Sequence, residues 1–482
     1  MKKIFYVIAV ALLIIGCTEN KNGSGNAESE RKERGIGVGS ERESNCPERR
    51  LVLGLQHMFA MFGATVLVPI ITGLSISTTL LFAGLATLFM HFVTKNKVPV
   101  FLGSSFAFLG GYAAVKEAGV AAGMTEAKAL TYACIGVACA GLLYLVLSAI
   151  CKAWGSSNVM KYFPPVVTGP IIIAIGLNLA PSAINNCSVN WWIALVAIVV
   201  VIICNIWGKG MVKIIPILLG VIASYAVAAV SNNVDFTLVK EADWFGLPII
   251  WQNTGLSVFT NGDTDWGMVL TSVITIVPIA FATMMEHVGD ISAIGGTVGK
   301  NFIKDPGLHR TLIGDGIGTT VAALFGAPAN TTYGENTGVL ALTKVYDPFV
   351  IKLAAIYAIV LSFSPKFAAI IEVMPTATIG GVSLILYGMI SAIGVRNVIE
   401  NKTNFQESRN VIVAALILGL AVGINFSEAG AIPIVIGSIT INMTGLAVAS
   451  IVGIVLNAVL PGKDYHFAEE PDETLASSLG KY

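Results

Sequence analysis

A few ionisable residues inside otherwise apolar stretches could bind protons or a polar ligand. Glu286 and Asp290 are four residues apart, so on a helix both carboxyl groups lie on one face. His57, Asp315 and Glu335 also stand in apolar surroundings. An unpaired charge in lipid is costly, so such side chains face a cavity or a partner and are candidates for function.

The same residues do not favour a metal centre or an enzyme. His287 is adjacent to Glu286 and therefore points away from it on a helix, and no second histidine pair completes a ligand set. The 7 cysteines form no CxxC motif and lie mostly in apolar stretches, as small buried residues do. We expect no metal, no cofactor, and neither a nucleophile–base pair nor an ATP-binding motif.

The composition places the elements that carry these residues in a membrane. Of the 482 residues, 55% are hydrophobic and only 12% are charged, whereas a soluble domain has about 25% charged residues. Lys+Arg and Asp+Glu balance at 29 each, so no basic surplus suggests a nucleic-acid partner. The chain is predicted to be an all-α polytopic membrane protein.

About fourteen apolar runs have the length that a bilayer crossing needs. They are expected near 51–73, 76–94, 98–115, 127–150, 164–182, 190–207, 212–231, 266–290, 310–327, 331–346, 348–364, 367–393, 409–425 and 444–461. Most lysines and arginines fall in loops that follow an even-numbered run, whereas the opposite loops hold only Lys116, Lys128, Lys240 and Lys366. By the positive-inside rule, both ends of the membrane domain are cytoplasmic.

The two ends of the chain differ from this membrane domain at 51–462. Residues 1–17 look like a secretory signal, and Cys17 ends a tetrad that resembles a lipoprotein processing site. Residues 18–50 are expected to form a polar, disordered linker, and 463–482 an acidic cytoplasmic tail. Export of the N-terminal segment conflicts with the cytoplasmic start that the loop charges predict for the membrane domain. The alternatives are that residues 1–50 are a poorly integrated extension, a fusion or the result of a mis-assigned start.

Two of the apolar runs are interrupted by Gly, Pro and small polar residues, near 98–115 and 326–338. Non-helical backbone at membrane depth is tolerated only where protein buries it or it lines a cavity. The runs are third and tenth, and hence third in each of two seven-span halves, at about 51–231 and 266–462. This placement predicts an inverted repeat with a binding site at the two breaks.

A series of motifs in order resembles the nucleobase–ascorbate transporter family, and within it the bacterial uracil:proton symporters. The segments that carry the resemblance are Gln56–Pro69, Gly103–Phe108, Glu286–Gly289, Asp305–Arg310, Asn330–Lys344 and Gly380–Gly388. The segment from Asn330 to Lys344 fits the family signature most fully. The resemblance covers the chain from about Leu51 to the C-terminal region.

This resemblance implies fourteen spans in two inverted repeats, divided into a core and a gate domain. It also implies that spans 3 and 10 each contain a short strand and a half-helix, with the nucleobase between them. Glu286 and Glu335 would accept hydrogen bonds from the N–H groups of uracil, and the backbone N–H groups of Phe106 and Gly334 would donate to its carbonyl oxygens. The other substrate-binding residues that it implies are Ser105, Tyr333 and Tyr387.

The implied activity is uracil import across the bacterial cytoplasmic membrane by proton-coupled alternating access, in a homodimer joined through the gate domains. We expect Glu286, Asp290 and His57 to take part in proton coupling. Uracil permeases usually carry a histidine at the position of Asp290, which leaves Na⁺ coupling open. The alternatives are a xanthine or urate symporter of the same family, which typically has Gln at position 335, an anion channel of related fold and an intramembrane enzyme.

Overall fold

The computed structural model describes residues 47–260, 262, 264–334, 337, 339–340, 344–436 and 439–462. Within these ranges the chain is mainly helical, and its apolar segments follow the predicted order. The signal-like segment 1–17 with Cys17, the linker up to residue 46, the tail 463–482 and Glu335 lie outside the described residues. Within the described ranges, the first helix begins at Pro47.

We number the membrane segments as spans 1 to 14. Their bounds are Pro47–Thr72, Ile76–Val93, strand β1 Leu102–Ser104 with helix Leu109–Ala121, Glu126–Trp154, Pro165–Ser188, Trp191–Ile206, Pro216–Val230, Trp266–Ile276 with Ala280–Val298, Leu308–Leu324, strand β2 Asn330–Thr332 with the chain from Gly334, Pro348–Ser362, Thr376–Glu400, Ser408–Asn425 and Gly445–Val459. Shorter elements connect them, namely Ser156–Met160, Met211–Ile214, Thr237–Glu241, Trp251–Asn253, Ser257–Thr260, Val277–Ile279, Ile303–Gly307, Pro365–Glu372, β3 Ala431–Ile436 and β4 Ile439–Thr444.

The helices differ in whether each is long enough to cross a bilayer by itself. Among the described residues, seven helical stretches are long and apolar enough, or eight if Pro348–Ser362 and Pro365–Glu372, bent by 89°, count as one. The helices of spans 6, 7 and 14 are apolar but have only 16, 15 and 15 residues. At 1.5 Å per residue they are about 23 Å long, which is shorter than a typical hydrocarbon core of about 30 Å.

Side-chain caps and prolines set many of the helix starts. Ser75, Thr125 and Asp347 each accept a hydrogen bond from a backbone N–H in the first turn of spans 2, 4 and 11. Spans 5 and 7 begin with Pro165 and Pro216, where a missing N–H costs nothing. These local signals explain why sequence alone places most boundaries within a few residues.

The predicted start of span 12 is wrong. The run 367–393 was expected to be one crossing, but Pro365–Glu372 is a separate short helix and span 12 is Thr376–Glu400. Pro375 stands in the break, where it lacks a backbone N–H and disfavours the helical conformation at the residue before it, so span 12 begins after it. Apolar composition continues across this break, which is why hydropathy does not detect it.

The packing of the spans repeats with an internal symmetry. Spans 5 and 12, the fifth of each half, pack on each other. The packing of span 4 on span 9 is matched by that of span 11 on span 2, and the pair of spans 6 and 7 by spans 13 and 14. The contacts thus define two equivalent halves, and they separate a core domain of spans 1–4 and 8–11 from a gate domain of spans 5–7 and 12–14.

A β-hairpin between spans 13 and 14 has no counterpart in the sequence prediction. Strands β3 and β4 pair in antiparallel register from Ala431↔Thr444 to Ile436↔Ile439. Strand β4 packs against the first helix of span 8, so the hairpin joins the gate domain to the core domain. By the predicted orientation, it lies on the outer side of the membrane.

Candidate functional site

The two broken spans meet through their short strands. β1 and β2 pair antiparallel, with Gly103 opposite Thr331, and all six strand residues are buried. The pairing continues by one hydrogen bond at each end, from Ser105 N–H to Ala329 O at 2.8 Å and from Tyr333 N–H to Phe101 O at 3.2 Å. This arrangement confirms the short strands predicted for spans 3 and 10.

Phe106 and Gly334 are the first residues beyond the paired strands. The helix of span 3 begins at Leu109, and its N-cap, Phe108, supplies no side-chain hydrogen bond. The first turn of a helix leaves backbone N–H groups without intrahelical partners and carries the positive end of the helix dipole. Phe106 and Gly334 thus stand where the paired strands end, at the two positions whose backbone N–H groups the family resemblance assigns to substrate.

Tyr333 locks the strands to span 1 instead of ending in an open cavity. Its hydroxyl donates to Ser104 O at 3.1 Å and lies 3.3 Å from Thr65 Oγ1. The ring covers Gly103 so closely that a Cβ there would lie 2.3 Å from a ring carbon. Tyr333 therefore fixes strand β1 to span 1, and Gly103 is required for this contact.

Tyr387 lies next to Phe106 on the side of the gate domain. Its ring contacts Phe106 edge to face, with centroids 5.6 Å apart and an interplanar angle of 78°. Both side chains are buried. The contact joins span 12 to span 3, so it spans the boundary between gate and core.

Asp290 of span 8 lies beside the second break point. Asp290 is 4% exposed, and a Cβ on Gly334 would lie 2.7 Å from its Oδ1. Glu286, one turn earlier, is partly exposed inside an otherwise buried region. Gly289 on the same helix faces the gate domain, since a Cβ there would lie 3.5 Å from Asn397 Nδ2. Asp290 thus lies at the break, while Glu286, four residues earlier on the same helix, stays partly exposed.

The remaining predicted site residues are buried in the core domain. Ser105 is fully buried, and its Oγ has no hydrogen-bond partner within the described part of the chain. His57 is 1% exposed in span 1. In the ranges that the structure covers, no three His, Cys, Asp or Glu side chains are grouped to hold a metal ion.

Sequence reasoning missed the surroundings of His287. His287 does point away from Glu286, and its Nδ1 lies 2.8 Å from Asp315 Oδ2 in span 9, with both side chains fully buried. The sequence analysis names Asp315 as a candidate for function but gives it no partner. The adjacent Glu and His, together with an acidic residue in a Gly-Asp-Gly segment, are the only sequence signals of this pair.

The fold and the site define a polytopic transporter with an inverted repeat and two broken spans. The transmembrane domain of the cyanobacterial bicarbonate transporter BicA is similar, with a TM-score of 0.53 and 15% identity, over 85% of this chain and 96% of that chain. At this identity the likeness concerns the fold alone.

Sequence comparison then specifies the family. A family model described as "Permease family" matches residues 48–430. The uracil permease of Bacillus caldolyticus is 39% identical over 422 residues, covering 86% of this chain and 92% of the relative. The uracil permease of Bacillus subtilis strain 168 is 37% identical over 447 residues, covering 89% and 96%. The chain belongs to the nucleobase–ascorbate transporter family, and it is a multi-pass permease, not an enzyme.

Proposed function

We propose that this protein imports uracil across the bacterial cytoplasmic membrane together with protons, by alternating access. One observation carries the proposal: the paired strands join the two break points, and Asp290, one helical turn from Glu286, lies against one of them. A planar uracil ring alternates N–H donors and carbonyl acceptors, so it requires both kinds of partner. A buried polar group left unpaired costs about 1–3 kcal/mol, which makes such a site selective.

In this proposal each predicted residue has a separate task. Phe106 and Gly334 donate backbone hydrogen bonds to the carbonyl oxygens of uracil, and Glu286 and Glu335 accept from its N–H groups. Tyr387 closes the pocket from the gate domain, and Ser105 offers a buried hydroxyl. The strands hold the two break points in a fixed relation, so the substrate meets a preformed site.

Proton coupling is assigned to the carboxyl groups of span 8. A carboxyl removed from water binds a proton more readily than one in water. Glu286 would take a proton from outside together with uracil and release it when the gate domain moves and the pocket opens inward. Asp290, four residues away, would favour protonation of Glu286 by like charge or accept a hydrogen bond from it. We assign His57 to the same pathway.

The orientation and assembly follow from the same proposal. Both ends of the membrane domain lie in the cytoplasm, because the positive charges of the loops are concentrated on that side. Two copies associate through their gate domains. The short helices of spans 6, 7 and 14 belong to this domain, and such helices gain from association where the bilayer is thicker than their apolar length.

The test is uptake of radiolabelled uracil by cells that lack their own uracil permease. We expect the wild type to take up uracil, a protonophore to abolish the uptake, and the Glu335→Gln variant to lose it. Xanthine uptake without uracil uptake would place the protein among the purine symporters instead. Uptake that ignores the protonophore but requires Na⁺ would show that Asp290 accompanies a different coupling ion.

A further inference from the structure

Behind strand β2 lies a buried polar cluster to which the proposed transport mechanism gives no role. His287 Nδ1 is 2.8 Å from Asp315 Oδ2 and 3.0 Å from Thr332 Oγ1. On the other side of the ring, Nε2 is 3.0 Å from Thr311 Oγ1. The four side chains are buried and join spans 8, 9 and 10.

Hydrogen-bond directions fix the net charge of the His287–Asp315 pair. Thr311 Oγ1 donates to Leu308 O at 3.0 Å, so it accepts from His287, and Nε2 carries a hydrogen. Nδ1 and the carboxyl oxygen of Asp315 are 2.8 Å apart, and two bare lone pairs would repel at that distance, so one hydrogen lies between them. The pair is either imidazolium with carboxylate or imidazole with carboxylic acid, and its net charge is zero in both forms.

The pair is shielded from water, since both of its side chains are fully buried. Tyr144 of span 4 meets the His287 ring edge to face, with centroids 6.3 Å apart. Its hydroxyl donates to Thr283 Oγ1 at 2.7 Å, so it is already engaged within the protein. A net charge in such a place would be costly, which favours a pair that keeps its shared proton.

The cluster connects both parts of the candidate site. His287 directly follows Glu286, and Thr332 is separated from Gly334 only by Tyr333. Side chains alternate along a strand, so Thr332 faces His287, while Tyr333 faces the other way and covers Gly103. A displacement of the cluster would therefore move Glu286 and the second break point relative to each other.

We propose that His287, Asp315, Thr311 and Thr332 form a neutral clasp that positions Glu286 and Gly334 for substrate, and that the proton shared by His287 and Asp315 is not the transported one. The part that concerns substrate rests on the proposed uracil transport. The clasp itself is a statement about spans 8, 9 and 10, and it can be tested without substrate.

The first test removes one hydroxyl from the clasp. In the purified full-length protein, we expect Thr332→Val to raise the Kd for uracil about tenfold, which corresponds to about 1.4 kcal/mol, whereas Thr332→Ser keeps the wild-type Kd. Thr331→Val is the matched control, because Thr331 lies on the same strand and its Oγ1 has no hydrogen-bond partner in the described ranges. Equal effects of Thr332→Val and Thr331→Val, or no effect of either, would overturn the positioning role.

The second test asks whether the pair carries the transported proton. In Asp315→Asn the amide can donate to Nδ1 of a neutral His287, so the contact and its zero charge persist. We expect Asp315→Asn to bind uracil with a Kd within about threefold of the wild-type value, which corresponds to about 0.6 kcal/mol. Its uptake should remain sensitive to a protonophore. Asp315→Ala, in contrast, should lose uracil binding. Normal binding by Asp315→Asn with uptake that no longer responds to a protonophore would place the coupling proton on this pair and overturn the proposal.

A substrate-free measurement separates the clasp from the proposed function. Hydrogen–deuterium exchange reports the opening of the β1–β2 pairing through the amides of Ser105 and Tyr333. We expect faster exchange at these amides in Thr332→Val and wild-type exchange in Thr331→Val. If the wild type bound no uracil, the proposed function would fail, but the exchange rates would still test the clasp. Unchanged exchange in Thr332→Val would refute the clasp.

Discussion

At Gly103, the absence of a side chain allows the Tyr333 ring to lie on strand β1. The ring fills the position that a Cβ would occupy, and its hydroxyl is bonded to Ser104 and Thr65. Without a side chain at position 103, one aromatic residue can fix span 1, span 3 and span 10 to one another. The site is therefore shaped by a close approach that a single methyl group would prevent.

Replacing Gly103 by Ala should abolish substrate binding with less effect on assembly of the protein. The new methyl group would force the Tyr333 ring away, at the cost of about 1–3 kcal/mol that overpacking usually has. Uracil binding to purified protein measures the loss. Gly110→Ala is the control, since Gly110 lies in the same span and a Cβ there meets no atom within 4 Å. Wild-type binding by Gly103→Ala would contradict the role of this contact.

At the scale of elements, the gate domain depends on the close crossing of spans 5 and 12. A Cβ on Gly176 would lie 2.2 Å from the backbone oxygen of Tyr387, and a Cβ on Gly394 would lie 2.7 Å from Gly169 O. Small residues allow helix backbones to approach closely in membranes. Since Tyr387 also contacts Phe106, this crossing sets the position of Tyr387 next to Phe106.

We expect Gly176→Ala to lower the thermal stability of the purified protein and to weaken uracil binding together with it. The methyl group would collide with backbone, which cannot rotate away as a side chain can, so a cost of at least about 1–3 kcal/mol is expected. A thermal unfolding curve and a binding isotherm measure the two effects. Gly388→Ala is the comparison, because Gly388 is next to Tyr387 but faces open space. Equal thermal stability and equal uracil affinity of Gly176→Ala and Gly388→Ala would contradict the proposed importance of the close crossing of spans 5 and 12.

At the scale of the whole molecule, the proposed orientation predicts which loops face each compartment. Asp235, between spans 7 and 8, is exposed outside the membrane segments, and its hydrogen bonds with Thr237 hold its pKa below the usual range, so it is charged at neutral pH. Lys97 and Asp305 form an exposed ion pair that joins the loop after span 2 to the loop after span 8. The loop that holds Asp235 should be extracellular, and the loops that hold Lys97 and Asp305 should be cytoplasmic.

A membrane-impermeant maleimide tests this orientation in intact cells. It should label Asp235→Cys from outside, and it should label Lys97→Cys only after the cells are opened. The wild type provides the background, because Cys139 is only partly buried and Cys17 and Cys46 lie outside the described residues, whereas cysteines 134, 151, 187 and 204 are buried. The Lys97→Cys change should leave stability within about 0.5 kcal/mol, because exposed ion pairs contribute little. Labelling of Lys97→Cys in intact cells would reverse the orientation.

Particular residues show how much of the fold and site could be predicted from sequence. The breaks at spans 3 and 10 and the shared face of Glu286 and Asp290 follow from local composition and from helix geometry, so they were predictable. The contact between Phe106 and Tyr387 was not, because it joins spans that only packing brings together. The His287–Asp315 pair likewise depends on how span 8 is rotated against span 9.

The sequence by itself determined that the protein belongs in a membrane, where its crossings lie, and which crossings are broken. Each of these properties depends on the length and polarity of a single stretch of chain. Only the tertiary structure decided that the two breaks pair through Gly103 and Thr331, and that Asp290, not another carboxyl group among the described residues, lies against Gly334. Those outcomes depend on register and helix rotation, which packing between distant segments fixes and local sequence does not encode.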